Sequence, residues 1–177
     1  KGPTTQTVVS YIFYKIASGS ETTVIPSQVT SRTLYLAITE YSGFTGTPTL
    51  DVTDSNSVSG AATSLNTTAT TGPSNTAQPA LALAHWGNAS PLGATVSLTN
   101  SFNEDFAPQA VSTNYRVAVK ELTATAAVSS TLTWTTSLSA TVASLIVFTN
   151  VVPATTQTQL GKSNVQVSTA QTQAGKA

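Results

Sequence analysis

Residues 112–122 read STNYRVAVKEL, and their alternation of apolar and polar side chains decides the fold class. Tyr115, Val117 and Val119 fall on one face, because successive side chains of a strand point to opposite faces. Residues 33–41 alternate in the same way, and residues 141–149 form an apolar run of strand length. With no convincing helical period, about nine or ten short strands at roughly 8–15-residue spacing predict an all-β, antiparallel β-sandwich of jelly-roll type.

The composition fits this fold and narrows the possible partners. Charged residues make up 8% of the 177 residues, whereas an ordinary domain has about 25%. Thr is β-branched, so it can fill the solvent face of a strand without charge.

Seven basic and seven acidic residues give no net charge, so the basic footprint that a nucleic-acid partner requires is missing. No apolar run reaches the ~18 residues that span a bilayer, which predicts no membrane insertion.

Two regions differ in character along the chain. Residues 4–150 are predicted to form the sandwich, and residues 151–177 an extended tail. The hexapeptide QTQLGK at 157–162 recurs as QTQAGK at 171–176, so the repeat from 157 to 171 is 14 residues long. Within the domain, we predict a buried strand at 4–16, a polar turn at 54–60, an edge strand at 61–71 and an irregular polar segment at 101–110.

The stretch 34–43, LYLAITEYSG, resembles a segment of jelly-roll domains found in phage virion proteins and bacterial surface proteins. The strands around Tyr115 and Trp134, which end in the apolar run 146–148, are similar to the same pattern. The tail resembles the Thr-Gln-Thr-Gly-Lys-Ala repeats that follow such domains. This resemblance implies a lectin-like sandwich with a structural role in a virion or on a cell surface, and it implies no catalytic residues.

Oxygen-bearing side chains suggest one candidate metal site. Asp51, Asp54 and Asn56 lie close together in a predicted loop, and calcium binds six to eight oxygens. Because Asx residues also favour turns for local reasons, a metal-free turn is the alternative. The pattern of an EF-hand is absent, and the chain has no cysteine to hold zinc. We therefore predict no cofactor and no metal beyond these calcium candidates.

The titratable residues do not form a recognisable catalytic pattern. Glu104 and Asp105 are the only adjacent carboxylates, but neighbours on an extended chain point apart and suit a glycosidase poorly. We predict that they lie in a solvated loop. His85 is the single histidine, beside Trp86, and no Gly-x-Ser-x-Gly nucleophile elbow occurs, so a structural His is favoured. Glu40 lies in a mainly apolar strand, where an inward carboxylate would need a basic partner such as Arg32, Arg116 or Lys120.

Two groups of residues are candidates for binding. Aromatic faces can stack on sugars, although core packing is the alternative for each, and the candidates are Trp86, Trp134 and Tyr41. Strand edges and the tail can associate with other chains, and the assembly candidates are Val8, Val9, Tyr11, Ile12, Gln159 and Gln173.

These observations predict an extracellular protein that is not an enzyme. We expect a structural subunit of a virion or appendage, such as a capsid decoration, a tail fibre or a surface filament. Its partners would be copies of itself or other virion or surface proteins. A carbohydrate-binding module or adhesin, with a glycan as partner, is the alternative.

Overall fold

The computed structural model describes residues 8–9, 11–17, 38–41, 44–69, 71–88, 90, 92–106, 115–151 and 163–165. These residues contain strands and no helix, which confirms the all-β class. The strands are β1 (Ile38–Glu40), β2 (Phe44–Val58), β3 (Ala62–Asn66), β4 (Ala80–Gly87), β5 (Thr95–Leu98), β6 (Asn103–Phe106), β7 (Tyr115–Leu122), β8 (Thr131–Leu138), β9 (Thr141–Val151) and β10 (Ser163–Val165).

The strands form two main antiparallel sheets and a short ribbon. Five strands lie in the order β2-β9-β4-β7-β6, and three lie in the order β3-β8-β5. The ribbon joins β1 to β10 through the pairs Ile38 with Val165 and Glu40 with Ser163. Three residues of the predicted tail therefore pair with the domain, whereas both copies of the repeat lie outside the described residues.

A single hydrophobic core joins the two main sheets in a sandwich-like arrangement. Every second residue of β4, from Ala80 to Trp86, is buried in it. The neighbouring strand β9 contributes Ala143, Leu145 and Val147, and the three-stranded sheet contributes Leu65, Leu132 and Trp134. The small alanines of β4 lie in the same core as the indoles of Trp86 and Trp134, so large and small side chains pack together between the sheets. Alternation along β4 and β9 thus separates an inward face from an outward face.

The inward face of β7 is not the face that carries the apolar row found in the sequence. Trp86 is opposite Arg116, and Ala84 is opposite Ala118. Arg116 and Ala118 therefore share the core side of the sheet with Trp86. Tyr115, Val117 and Val119, the apolar row found in the sequence, lie on the outer face instead. That face is itself rich in apolar side chains.

Strand β2 is longer than the sequence suggests. Residues 54–60 were predicted to be a polar turn, but β2 continues to Val58 and pairs with β9 along the way, from Thr49 opposite Thr149 to Val58 opposite Thr141. Asp, Ser and Asn are poor strand formers, yet pairing with β9 outweighs their propensity. Gly46 and Pro48 also lie within β2, where the register shifts between Phe44 and Thr49.

Two further predictions about local structure are wrong. Residues 101–110 were expected to be irregular, but Asn103–Phe106 form β6. Residues 4–16 were expected to be a buried strand, but residues 8–9 and 11–16 belong to no strand and most are exposed. The predicted edge strand at 61–71 is confirmed in part, as β3. Of the predicted strand at 33–41, the described portion is β1 followed by Tyr41.

Candidate interaction surface

Glu104 and Asp105 lie in strand β6 rather than in a solvated loop, and Glu104 takes part in a polar cluster around the buried Arg116. The guanidinium Nε of Arg116 lies 3.1 Å from Glu104 Oε1, and the Arg116 side chain is almost fully buried. The same guanidinium donates hydrogen bonds to Thr95 Oγ1 at 3.3 Å and to the carbonyl of Gly93. Thr95 begins β5, in the other sheet, so the cluster links the two sheets along this side. The prediction of a solvated Glu104 is therefore corrected.

Asp105 is also held by a specific contact. Tyr41 donates its hydroxyl to Asp105 Oδ2 at 2.5 Å, which connects the end of β1 to the edge strand β6. Burial, together with this hydrogen bond, raises the pKa of Tyr41 well above its usual range. The hydroxyl of Tyr41 thus serves a contact within the chain. Glu40, next to it, is exposed, and Arg116, one of its possible basic partners, is engaged by Glu104 instead.

The calcium candidates lie in strand β2 and serve separate structural contacts. Asp51 accepts hydrogen bonds from the backbone N–H of Thr76, at 2.8 Å, and from its hydroxyl. Asp54 accepts one from the next backbone N–H at 2.7 Å. Asn56 donates to the carbonyls of Asn66 and Thr68, both at 3.1 Å, and so links β2 to the end of β3. In the described part of the chain, no three His, Cys, Asp or Glu residues form a group that could hold a metal ion.

Both tryptophans are core residues. Trp86 is fully buried and donates its indole N–H to the Leu65 carbonyl at 2.8 Å, which connects β4 to β3 across the sandwich. Trp134 is buried as well, and its indole N–H has no acceptor among the described residues. Because neither ring has an exposed face, the core-packing alternative replaces sugar stacking for these two candidates.

His85 lies on the outer face of the five-stranded sheet, opposite Val117 and Ser144. Its ring stacks on Tyr115, with centroids 6.5 Å apart and planes 22° from parallel. Burial lowers the pKa of His85 to about 4, so the imidazole is neutral at physiological pH. These contacts are those of a packed structural side chain.

The exposed apolar surface is concentrated near the start of the chain. Eight large hydrophobic residues are exposed in the described regions, and six of them fall within residues 8–9 and 11–17. We call these residues the N-terminal strip. Such a concentration within one short segment is unlike the scattered apolar residues of an ordinary surface, and it marks the strip as a candidate interaction surface.

Alternate residues of the strip differ in exposure, as in an extended chain lying on a surface. Val9, Tyr11 and Phe13 are 62, 74 and 86% exposed, and they form an outward row. Ile12 and Tyr14 are less exposed, at 36 and 55%. The rings of Tyr11 and Phe13 stack on each other with centroids 6.0 Å apart. The assembly candidates Val9 and Tyr11 thus point outward, together with Phe13, which the sequence reasoning left out although it continues their spacing.

The strip contacts the outer face of the five-stranded sheet along β9. Tyr14 meets Phe148 edge-on, with ring centroids 4.9 Å apart and planes at 70°. Val8 is half-buried, and with Val9 it lines a groove that also includes Val142 and Ser144. Since residues 8 to 14 follow β9 from 142 to 148, the strip runs in the same direction as β9. None of the described sheets includes it as a strand.

The remaining assembly candidates, Gln159 and Gln173, lie outside the described residues. Comparison of the chain with protein-family models, with curated proteins and with solved structures found no match. The described residues include no helix with the length and apolar character needed to cross a bilayer.

Proposed function

We propose that this protein is a non-enzymatic structural subunit of a virion or extracellular appendage, and that it works by associating with copies of itself. The observation that carries the proposal is the N-terminal strip, which holds six of the eight exposed large hydrophobic residues in the described regions. An apolar surface of this kind is typical of a permanent contact between subunits.

The rest of the molecule is consistent with a structural role. Thr, Ser and Asn side chains make the contacts that close the sandwich, as in the bonds from Asn56 to β3. With charged residues at only 8% and no net charge, copies can approach one another without strong repulsion. The resemblance to jelly-roll domains of phage virion and bacterial surface proteins points to the same role, to an extracellular location and to a jelly-roll strand order.

A carbohydrate-binding module is the second candidate, and one observation favours it. Tyr11 and Phe13 present a stacked, exposed aromatic pair, and aromatic faces are what sugar rings pack against. In this alternative, Tyr11 and Phe13 form the sugar-stacking surface that the sequence analysis assigned to Trp86 and Trp134. It predicts that a glycan array is bound by the wild-type chain and not by a Tyr11→Ser variant.

Sedimentation velocity over a hundredfold range of protein concentration tests the proposal. A structural subunit gives sedimentation coefficients that rise with concentration, or a single species larger than the 18.1 kDa chain. A coefficient that stays at the monomer value throughout would overturn self-assembly. Glycan binding by such a monomer would favour the carbohydrate-binding alternative.

A further inference from the structure

The N-terminal strip exposes enough apolar area to form an interface of its own. Tyr11, Phe13 and Tyr14 together expose about two whole aromatic side chains, or about 400 Å² at ~200 Å² for each ring. The aliphatic residues Val9, Ile12 and Ile16 bring the total to the order of 600 Å². The largest apolar patch of an ordinary monomer is about 300–600 Å², and a stable complex buries about 800 Å² on each partner. The outward row of Val9, Tyr11 and Phe13 contributes about 400 Å² of this area, which is about half of one side of a standard interface, and the less exposed residues of the strip flank it.

The near absence of charge in the strip indicates what kind of partner surface is complementary to it. The outward row of Val9, Tyr11 and Phe13 has no charged member, so it offers nothing to a partner of opposite charge. The next residue in the row is Lys15, the only charged residue of the strip. An apolar row with one terminal charge is complementary to a second apolar row, provided that the two lysines stay apart.

Only one relative direction of two strips keeps these lysines apart. In a parallel arrangement Lys15 would face Lys15 of the second copy. In an antiparallel arrangement centred on Tyr11, Val9 faces Phe13 of the second copy, and the two lysines are eight residues apart. At ~3.3 Å per residue this separation is about 26 Å, well beyond the screening length of about 8 Å. The same surface then serves both copies, as in the commonest dimer symmetry.

We propose that the outward row of the N-terminal strip is a two-fold self-association surface, on which Tyr11 of one copy meets Tyr11 of another in antiparallel orientation. This inference rests on the proposed function and specifies its contact. Tyr14 on Phe148 and Val8 beside β9 fasten the strip to the sheet, so the row is presented on a supported surface.

Two equally exposed valines distinguish a specific contact through the strip from a general effect of surface hydrophobicity on association. Val9 is 62% exposed in the strip, and Val96 is 61% exposed on β5, in the other sheet. We expect Val9→Ser to raise the dimer dissociation constant severalfold and Val96→Ser to leave it unchanged. The double variant Tyr11→Ser/Phe13→Ser should raise it by about tenfold or more, because aromatic anchors dominate interfaces. Circular dichroism of each variant shows whether the fold is retained.

Disulfide cross-linking tests the two-fold axis directly, because the chain has no cysteine of its own. A Tyr11→Cys variant keeps the contacts of Val9 and Phe13 and places one thiol at the axis, so mild oxidation, at a protein concentration raised to offset the lost Tyr11 ring, should join two copies, as seen on a non-reducing gel. A Val96→Cys variant at the same concentration should remain largely uncoupled.

The possible outcomes distinguish this inference from the proposed function. If the wild-type chain associates but Val9→Ser and Val96→Ser behave alike, assembly stands and the strip is not its contact. If the strip variants weaken association but Tyr11→Cys does not cross-link, the strip is a contact without the two-fold arrangement, and the inference is overturned. A wild-type chain that is monomeric at every concentration refutes the proposed function itself.

Discussion

The two tryptophans of the core provide a controlled test of how the sheets are held together. Trp86 and Trp134 lie in the same core, both buried, but only Trp86 has an acceptor for its indole N–H, the carbonyl of Leu65. Replacing either with Phe keeps an aromatic ring and removes a similar volume. The packing cost, about 1–2 kcal/mol, therefore nearly cancels when the two variants are compared.

The hydrogen bond makes the two substitutions unequal. Trp86→Phe leaves a buried carbonyl without its indole donor, which costs about 1–3 kcal/mol. Trp134→Phe instead removes a buried N–H that has no described acceptor, which relieves a penalty of similar size. We therefore expect Trp86→Phe to lower the free energy of unfolding by at least about 2 kcal/mol more than Trp134→Phe does.

Urea denaturation followed by circular dichroism measures this difference, and each variant keeps one tryptophan as a fluorescence probe. The dependence on urea should stay the same in both variants, so that midpoints report stability. Equal losses in the two variants, or a larger loss for Trp134→Phe, would refute the view that the indole N–H of Trp86 helps to join the sheets.

Three further predictions concern the polar cluster, a glycine and the histidine. Arg116→Met should lower the free energy of unfolding by about 2 kcal/mol, because it leaves the partly exposed Glu104 without its ion pair; urea denaturation that shows no loss would contradict this. Gly93→Ala should destabilise by about 2 kcal/mol or more in the same assay, because φ is +74° and a Cβ would lie 2.5 Å from Thr135 Oγ1. Burial lowers the pKa of His85 from 6.5 to about 4, so its contribution to stability is full above pH ~6.5 and lost as the pH falls towards 4, by up to about 3 kcal/mol. Stability measured across this range should show a shallower slope in a His85→Gln variant, and an unchanged slope would count against a buried neutral imidazole.

The sequence predicted best where apolar alternation and pairing agree. Strands β7 and β9 lie close to the runs at 112–122 and 141–149, because their side chains fill both faces of a covered sheet. Alternation alone could not say which face is the core. The apolar row of β7, which includes Val117, lies outward, and the face that carries Arg116 and Ala118 meets the core.

The failures come from pairing partners that a local pattern does not reveal. Residues 54–58 have the composition of a turn, yet they form a strand because they pair with β9. The N-terminal strip shows the converse, since Tyr11 and Phe13 look like core residues but no described strand pairs with them. Glu104 was assigned to a solvated loop because its partner, Arg116, is distant in the chain. The sequence also does not show which residues of β7 face inward, and Arg116 is one of them.

The mass of the wild-type chain and of the Tyr11→Ser/Phe13→Ser variant, measured side by side by light scattering, tests the central claim most directly. Self-association through the N-terminal strip predicts that the wild-type mass rises with concentration to at least twice the 18.1 kDa of one chain, while the variant needs a concentration about tenfold higher or more to reach the same mass. A wild-type mass of one chain at every concentration would contradict the account.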